Sequence, residues 1–272
     1  LLDHNRLGKP KVMGIVNLTP DSFFDGGEHQ TVDAALHHAE KLIADGADII
    51  DIGPYSSRPG ALEISAQQEM DRAIPFIEAF RASHPQVILS IDTYRAEVAQ
   101  ACVEAGVDII NDISGGTLDE NMFHVVAKLQ VPYVLMHMRG TPSTMQQLTD
   151  YKDVVNDVAV SLGHKVSRLR SLGVKDIILD PGFGFAKTIA QNYDLLLRVD
   201  ELHYFGLPLL GGISRKSMIY KKIGSKPREV LAGTIALNTL LLERGVQILR
   251  VHDVKEAKQL IEIFYGSDFE EN

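Results

Sequence analysis

Asp45–Asp51 reads DGADIID, and the chain repeats that pattern twice, as EAGVDIIND at Glu104–Asp112 and LGVKDIILD at Leu172–Asp180. In each, a glycine ends a helical run and a short turn feeds an apolar strand. That is the order expected where a helix returns to start the next parallel strand. Working outward, eight runs read as strands: KVMGIVN, ADIIDIG, VILSID, VDIIND, PYVLMH, DIILDPG, LPLLGGIS and QILRVHD. Helical periodicity follows them, as in TVDAALHHAEKLIADG, YRAEVAQACVEAG and KEAKQLIEIFYG. Near-continuous Ile, Val and Leu in the strands indicates burial on both faces, as in parallel sheets. Eight βα units in 272 residues predict a (β/α)8 TIM barrel, one domain over residues 1–272. Alternation alone does not show closure, so an open doubly wound sheet stays the alternative.

Composition narrows the function classes. The chain has 27 Lys and Arg against 36 Asp and Glu, a net charge of −9, which argues against nucleic acid or an anionic membrane as the main partner. A small anionic substrate is compatible, because a few convergent cations make a local positive pocket. The single cysteine, Cys102, excludes an intramolecular disulfide and sits in a helical pattern where a buried, inert thiol is expected. No apolar run approaches the roughly 20 residues of a membrane span, and LLDHNRLGKP lacks a signal peptide's apolar core. These features predict a cytoplasmic protein.

Polar residues collect where the strands end, the active face of such a barrel. They are Asn17, Asp51, Asp92, Asn111, Asp112, His137, Asp180, Ser214, Arg215, Lys216, Arg250, His252 and Asp253. Contact with solvent explains some of them. It is a weaker explanation for charges inside apolar strands, as in LSIDT, IILDPG and ILRVHD, where an unpaired buried charge costs several kcal/mol. Simple motifs fail. GFGFAKT and GGISRKS lack the Gly before Lys that a Walker A loop needs, with Ala186 and Arg215 in that place. NLT at Asn17 is formally a glycosylation sequon, which carries no meaning without a signal peptide, and none is expected here. His37 and His38 read as solvated helix residues, and no histidine spacing fits a zinc site.

Taken together, GIVNLTPDSFFDGG, SSRPG, SIDT, NDISGG, LMHMRGTPSTMQ, LDPGFGFAK, GGISRKS and RVHD, in order from about Val12 to Asp253, resemble the dihydropteroate synthase family. The resemblance implies a transferase of folate biosynthesis. It would join p-aminobenzoate to 6-hydroxymethyl-7,8-dihydropterin diphosphate with Mg²⁺, the leaving group departing first, and sulfonamides would inhibit it. By the same resemblance, Asp92, Asn111, Met136, Asp180, Phe185, Lys216 and Arg250 bind the pterin. Asn17, Ser57, Arg58, Arg250 and His252 hold the diphosphate, Asn17 also touching the metal. Phe23, Pro59, Lys216 and Ser217 enclose p-aminobenzoate, and Asp25, Arg58, Asp92 and Lys216 serve the chemistry. A homodimer is implied as well, with LAGTIALNTLLLERG apolar enough for an interface or for a buried helix.

The chain departs from the family pattern in two places. DIGPYSSRPG puts Pro54 and Tyr55 where Gly and Glu are common, and Ser57 where Thr is common; Phe24 replaces a small residue in the first loop. Phe23 has a role as a pocket wall; Phe24 and His137 have none. Two other readings compete. A methyltetrahydrofolate:corrinoid methyltransferase would share Asp92, Asn111 and Asp180 but has no use for SSRPG, SRKS and RVHD. A non-catalytic pterin-binding homologue would be expected to have lost Arg58, Lys216, Arg250 and His252, all of which are present.

Overall fold

The computed structural model describes residues 8–18, 28–55 and 63–266. Eight parallel strands form one sheet: β1 (Lys11–Asn17), β2 (Ile49–Gly53), β3 (Ile88–Asp92), β4 (Ile109–Asp112), β5 (Tyr133–Met136), β6 (Ile177–Asp180), β7 (Leu210–Gly211) and β8 (Ile248–Val251). Their order is β6-β5-β4-β3-β2-β1-β8-β7, and a bridge between Leu179 and Leu209 joins the two edges. The sheet therefore closes, and the open-sheet alternative falls away. Nine α-helices surround it among the described residues: α1 (Glu28–Ala44), α2 (Ala66–Ser83), α3 (Ala96–Glu104), α4 (Met122–Leu129), α5 (Val154–Ser171), α6 (Ile189–Leu197), α7 (Ser217–Ile223), α8 (Leu231–Glu243) and α9 (Val254–Tyr265). The ninth arises because Gly224, in the left-handed region at φ 67°, ends α7 early, and LAGTIALNTLLLE becomes a separate helix before β8.

Strand side chains alternate between two faces, so position along a strand decides what a residue can touch. Met13, Ile49, Ile88, Ile109, Val134, Ile178, Leu210 and Ile248, one from each strand, pack together in the barrel interior. The alternate set, including Val12, Ile50, Leu89, Ile110, Tyr133, Leu179 and Leu249, packs outward against the helices. At the N-terminal end, the Asp48 and Asp108 carboxylates each accept a backbone N–H of the preceding strand, from Val12 and Leu89 at 2.8 Å. Arg81 pairs with Asp108, and Lys258 with Asp48 at 2.9 Å, so this end is tied by ion pairs.

Two sequence expectations are settled by burial. Cys102 is buried, and burial with nearby Glu69 pushes its thiol up to about 12, which suits an inert core residue. Asp112 faces outward from β4, unlike its neighbour Asn111. It accepts Tyr133 Oη–H at 2.7 Å and the N–H groups of Ser114 and Gly116 at 2.7 Å, fixing the turn after β4. Tyr133→Phe leaves that fully buried carboxylate short of one donor, a loss expected to cost about 1–3 kcal/mol. A lowered urea midpoint with an unchanged m-value checks this; an unchanged midpoint contradicts it.

Candidate active site

Stepping two residues up each strand from the apolar interior layer brings Ile15, Asp51, Ser90, Asn111, Met136, Asp180, Gly212 and Arg250 to the inside. Two more steps reach Asn17, Gly53, Asp92, Gly182, Ser214 and His252. The first of these layers starts the site and the second forms its rim.

Arg250 is the hub. Its Nε donates to Asp51 Oδ2 at 2.7 Å and its Nη2 to Asp92 Oδ2 at 2.8 Å, linking β8 to β2 and β3. Asn111 Nδ2 donates to the same Asp51 oxygen at 3.1 Å. Burial opposes a charge on Arg250, but Asp51 and Asp92 outweigh it and raise its pKa. Burial pushes Asp92 up to about 7, with Arg250 pulling down and Asp51 and Asp112 pushing up. Asp51 is fully buried, and its Oδ1 has no hydrogen-bond partner among the described residues. Such a triad holds only while the guanidinium stays between the two carboxylates.

On the opposite wall, Asp180 Oδ1 accepts the Gly182 N–H at 2.7 Å, and its Oδ2 takes no hydrogen bond from the described residues. Burial raises its pKa, while Lys216, the Gly182 N–H, Arg250 and Lys187 lower it. Lys216 Nζ donates to Phe183 O at 2.6 Å and lies 4.8 Å from the Phe185 ring centroid. Burial brings Lys216 down to about 8, against the pull of Asp180. Close approach requires glycine here: Gly184 sits at φ 82°, and a Cβ on it would stand 3.1 Å from Lys216 Cδ. Met136, Ile113, Met138, Met145 and Ala186 form a small apolar cluster at this end, with Phe185, Tyr94 and Leu118 against it.

The loops after β7 and β8 are tied together. Ser214 Oγ lies 3.0 Å from His252 Nδ1 and accepts the His252 N–H at 3.2 Å. Arg215, in the left-handed region at φ 57°, is held by an ion pair with Asp253. That strained backbone places Lys216 at the N-cap of α7 and Ser217 as its first residue. Gly53 opens space beside Asn17: a Cβ there would stand 3.8 Å from Asn17 Oδ1 and 4.0 Å from Asp92 Cβ.

The structure thus brings Asn17, Asp92, Asn111, Met136, Asp180, Phe185, Lys216, Ser217, Arg250 and His252 to one end of the barrel. Phe23, Phe24, Asp25, Ser57, Arg58 and Pro59 lie outside the described residues. Beside them, Tyr55, one of the departures from the family pattern, packs edge-on against Tyr94 with centroids 5.5 Å apart, and Pro54 O accepts from Arg72 at 2.9 Å. Sequence reasoning marked Asp51 as a strand-end charge but gave it no role, although it is the buried anchor of Arg250. His38 is half-buried on α1, where burial lowers its pKa, and is not the solvated residue expected.

No group of three or more His, Cys, Asp or Glu among the described residues could hold a metal ion. A magnesium ion with several waters and substrate phosphates needs only one or two protein oxygens. The Asn17 amide oxygen, at a strand end beside the space left by Gly53, is a hard donor that fits this mode.

A closed barrel whose active end carries a hydrogen-bonding ring of Asp, Asn, Lys and Arg beside an apolar wall defines a barrel enzyme for a flat, polar-edged heterocycle. The sequence matches the family described as pterin binding enzyme over residues 13–252. A dihydropteroate synthase from Synechocystis sp. is 46% identical over 255 residues, 93% of this chain and 88% of that protein. Among solved structures, Yersinia pestis dihydropteroate synthase with a sulfonamide drug complex superposes with a TM-score of 0.87 at 43% identity, covering 95% of this chain and 94% of that one. The Xanthomonas albilineans dihydropteroate synthase with 4-aminobenzoic acid gives 0.89 at 40% identity, covering 96% and 93%. The chain belongs to the pterin-binding enzymes and, within them, to the dihydropteroate synthase family of transferases.

Proposed function

We propose that the protein condenses 6-hydroxymethyl-7,8-dihydropterin diphosphate with p-aminobenzoate, giving 7,8-dihydropteroate and pyrophosphate. The observation that carries this reading is the convergence of Asp92, Asn111, Asp180, Lys216 and Arg250 at the active end of a dihydropteroate-synthase-like barrel. The 4-aminobenzoic acid bound by the Xanthomonas protein and the sulfonamide bound by the Yersinia protein support the second substrate and the inhibitor class.

In this reading Asp180 Oδ2 accepts from the pterin amino and ring N–H groups, and Asn111, Asp92 and Lys216 meet the remaining edge atoms. Met136 and Phe185 cover the ring faces, and Arg250 lies beside them. Asn17, Arg250 and His252, with Ser57 and Arg58, hold the diphosphate. When bound, Mg²⁺ would neutralise diphosphate charge, with Asn17 as its protein oxygen donor. The C–O bond to the diphosphate breaks first; the electron pair leaves with pyrophosphate, and the cationic pterin methylene is captured by the arylamine, which then gives up a proton. Asp92 and Asp25 stabilise that cation electrostatically, so positioning and charge, rather than a strong base, carry the step. Phe23, Pro59, Lys216 and Ser217 enclose p-aminobenzoate, whose carboxylate lies toward the Ser217 N–H. The setting is a cytoplasmic homodimer, with the partly exposed apolar residues of α8, such as Leu231, available for the contact; no helix among the described residues is long and apolar enough to cross a membrane.

Leaving-group-first chemistry is tested by positional isotope exchange: ¹⁸O in the bridging position of the pterin diphosphate is expected to scramble without p-aminobenzoate. Retention of the label under conditions that support turnover contradicts it. A pH dependence also follows. Lys216 offers the pterin a charged donor only while protonated, so kcat/KM for the pterin diphosphate is expected to fall as pH rises through about 8. A profile flat to pH 10 contradicts the role given to Lys216.

A further inference from the structure

Lys187 ends the LDPGFGFAK motif and is buried, 4% exposed, yet it belongs to none of the groups that meet substrate in the reading above. Its ammonium has an acceptor for each proton: Gly182 O at 2.9 Å, Phe185 O at 3.1 Å and His137 Nδ1 at 3.1 Å. Burial, then the nearby Lys187, pushes His137 down to about 2, so its ring is neutral and Nδ1 can accept. Both carbonyls belong to the loop between β6 and α6, which carries Phe185 and whose Gly182 N–H grips Asp180. That loop is tightly constrained. Gly182 is at φ 71° where a Cβ would collide with the His137 carbonyl, and Ala186 is at φ 49°. Immediately after it, Thr188 caps α6 with a capping box to Gln191.

A buried ammonium is expensive, and carbonyls alone could be satisfied by a neutral donor. Burial, with Lys216 and Arg139, brings Lys187 down to about 7 against the pull of Asp180, so below that pH it is an ammonium. In turn Lys187, with Lys216 and Arg250, acts against the burial that drives Asp180 toward its neutral form.

We propose that Lys187 is a positioning residue of the pterin pocket, its ammonium fixing the Gly182–Ala186 loop under Phe185 and keeping Asp180 a carboxylate that accepts pterin N–H groups. This rests on the pterin reading of the site and assigns His137 the role of a neutral acceptor for that ammonium.

The test is calorimetric titration of the full chain with 6-hydroxymethylpterin across pH 4–8, which needs no turnover. Lys187→Met is expected to weaken binding at least tenfold at pH 6, where the lysine is protonated, and to move the acid limb of binding upward by about one unit, because Asp180 loses a cation that favours its ionised form. A merely structural lysine would lower thermal stability without moving that limb. Lys187→Arg, which keeps the charge, is expected to leave the limb within a few tenths of a unit of the unaltered protein, and it serves also if the Met variant does not fold. Near-normal affinity with an unmoved limb in Lys187→Met, or a limb displaced by a unit in Lys187→Arg, would overturn the proposal. Failure of the unaltered protein to bind the pterin would overturn the reading of the site together with it.

Discussion

Asp180→Ala is expected to reduce pterin affinity by at least a hundredfold while leaving a folded protein. Asp180 is 6% exposed, and its Oδ2 takes no hydrogen bond from the described residues, so its bonding capacity is directed to a ligand. Two hydrogen bonds from a heterocycle to a charged acceptor are worth about 1.5–3 kcal/mol each, which corresponds to about two to four orders of magnitude in affinity. The fold tolerates the change because removing a carboxylate already disfavoured by burial offsets part of the cost of the orphaned Gly182 N–H. Calorimetric titration with 6-hydroxymethylpterin measures the effect, and affinity within threefold of the unaltered protein would show that the pterin lies elsewhere.

Arg250→Met is expected to cost at least a thousandfold in kcat/KM and about 3–5 kcal/mol in stability, the range for breaking a buried ion pair by removing one partner. The guanidinium separates the buried Asp51 from the part-buried Asp92, and without it two carboxylates share a space where, among the described residues, Asn111 alone still donates to the pair. The penalty is also expected to depend on pH. Asp92 is held above its ordinary range, so its folded form binds a proton more tightly than its unfolded form. Losing Arg250 raises it further, and the destabilisation is therefore smaller at pH 5 than at pH 8. Urea unfolding at the two pH values checks the sign, and equal losses would mean that Asp92 is not the group left exposed to repulsion.

The barrel was legible because its signal is repeated and local. A glycine stop, a turn and a β-branched run recur before β2, β4 and β6, and the period of two along each strand projects Asp51, Asn111, Asp180 and Arg250 inward together. The strand-end carboxylates could not be ranked from the chain alone. Asp51 and Asp92 look alike in ADIIDIG and VILSID, and only the three-dimensional reach of Arg250 makes one its buried anchor and leaves the other at the rim. Lys187 was hidden for a related reason. A lysine beyond a glycine-rich loop ordinarily meets solvent, and its inward course depends on the left-handed turns at Gly182, Gly184 and Ala186. The split of the seventh connection into α7 and α8 hinged on Gly224, one helix-stopping residue among 22 glycines.

The central claim, that this barrel end condenses a pterin diphosphate with an arylamine, is tested most directly by one assay. The protein is incubated with 6-hydroxymethyl-7,8-dihydropterin diphosphate, p-aminobenzoate and Mg²⁺, and pyrophosphate and 7,8-dihydropteroate are followed together. The two products are expected in equal amounts, with dihydropteroate absent when p-aminobenzoate is omitted. A folded sample that yields no dihydropteroate from both substrates would contradict the claim.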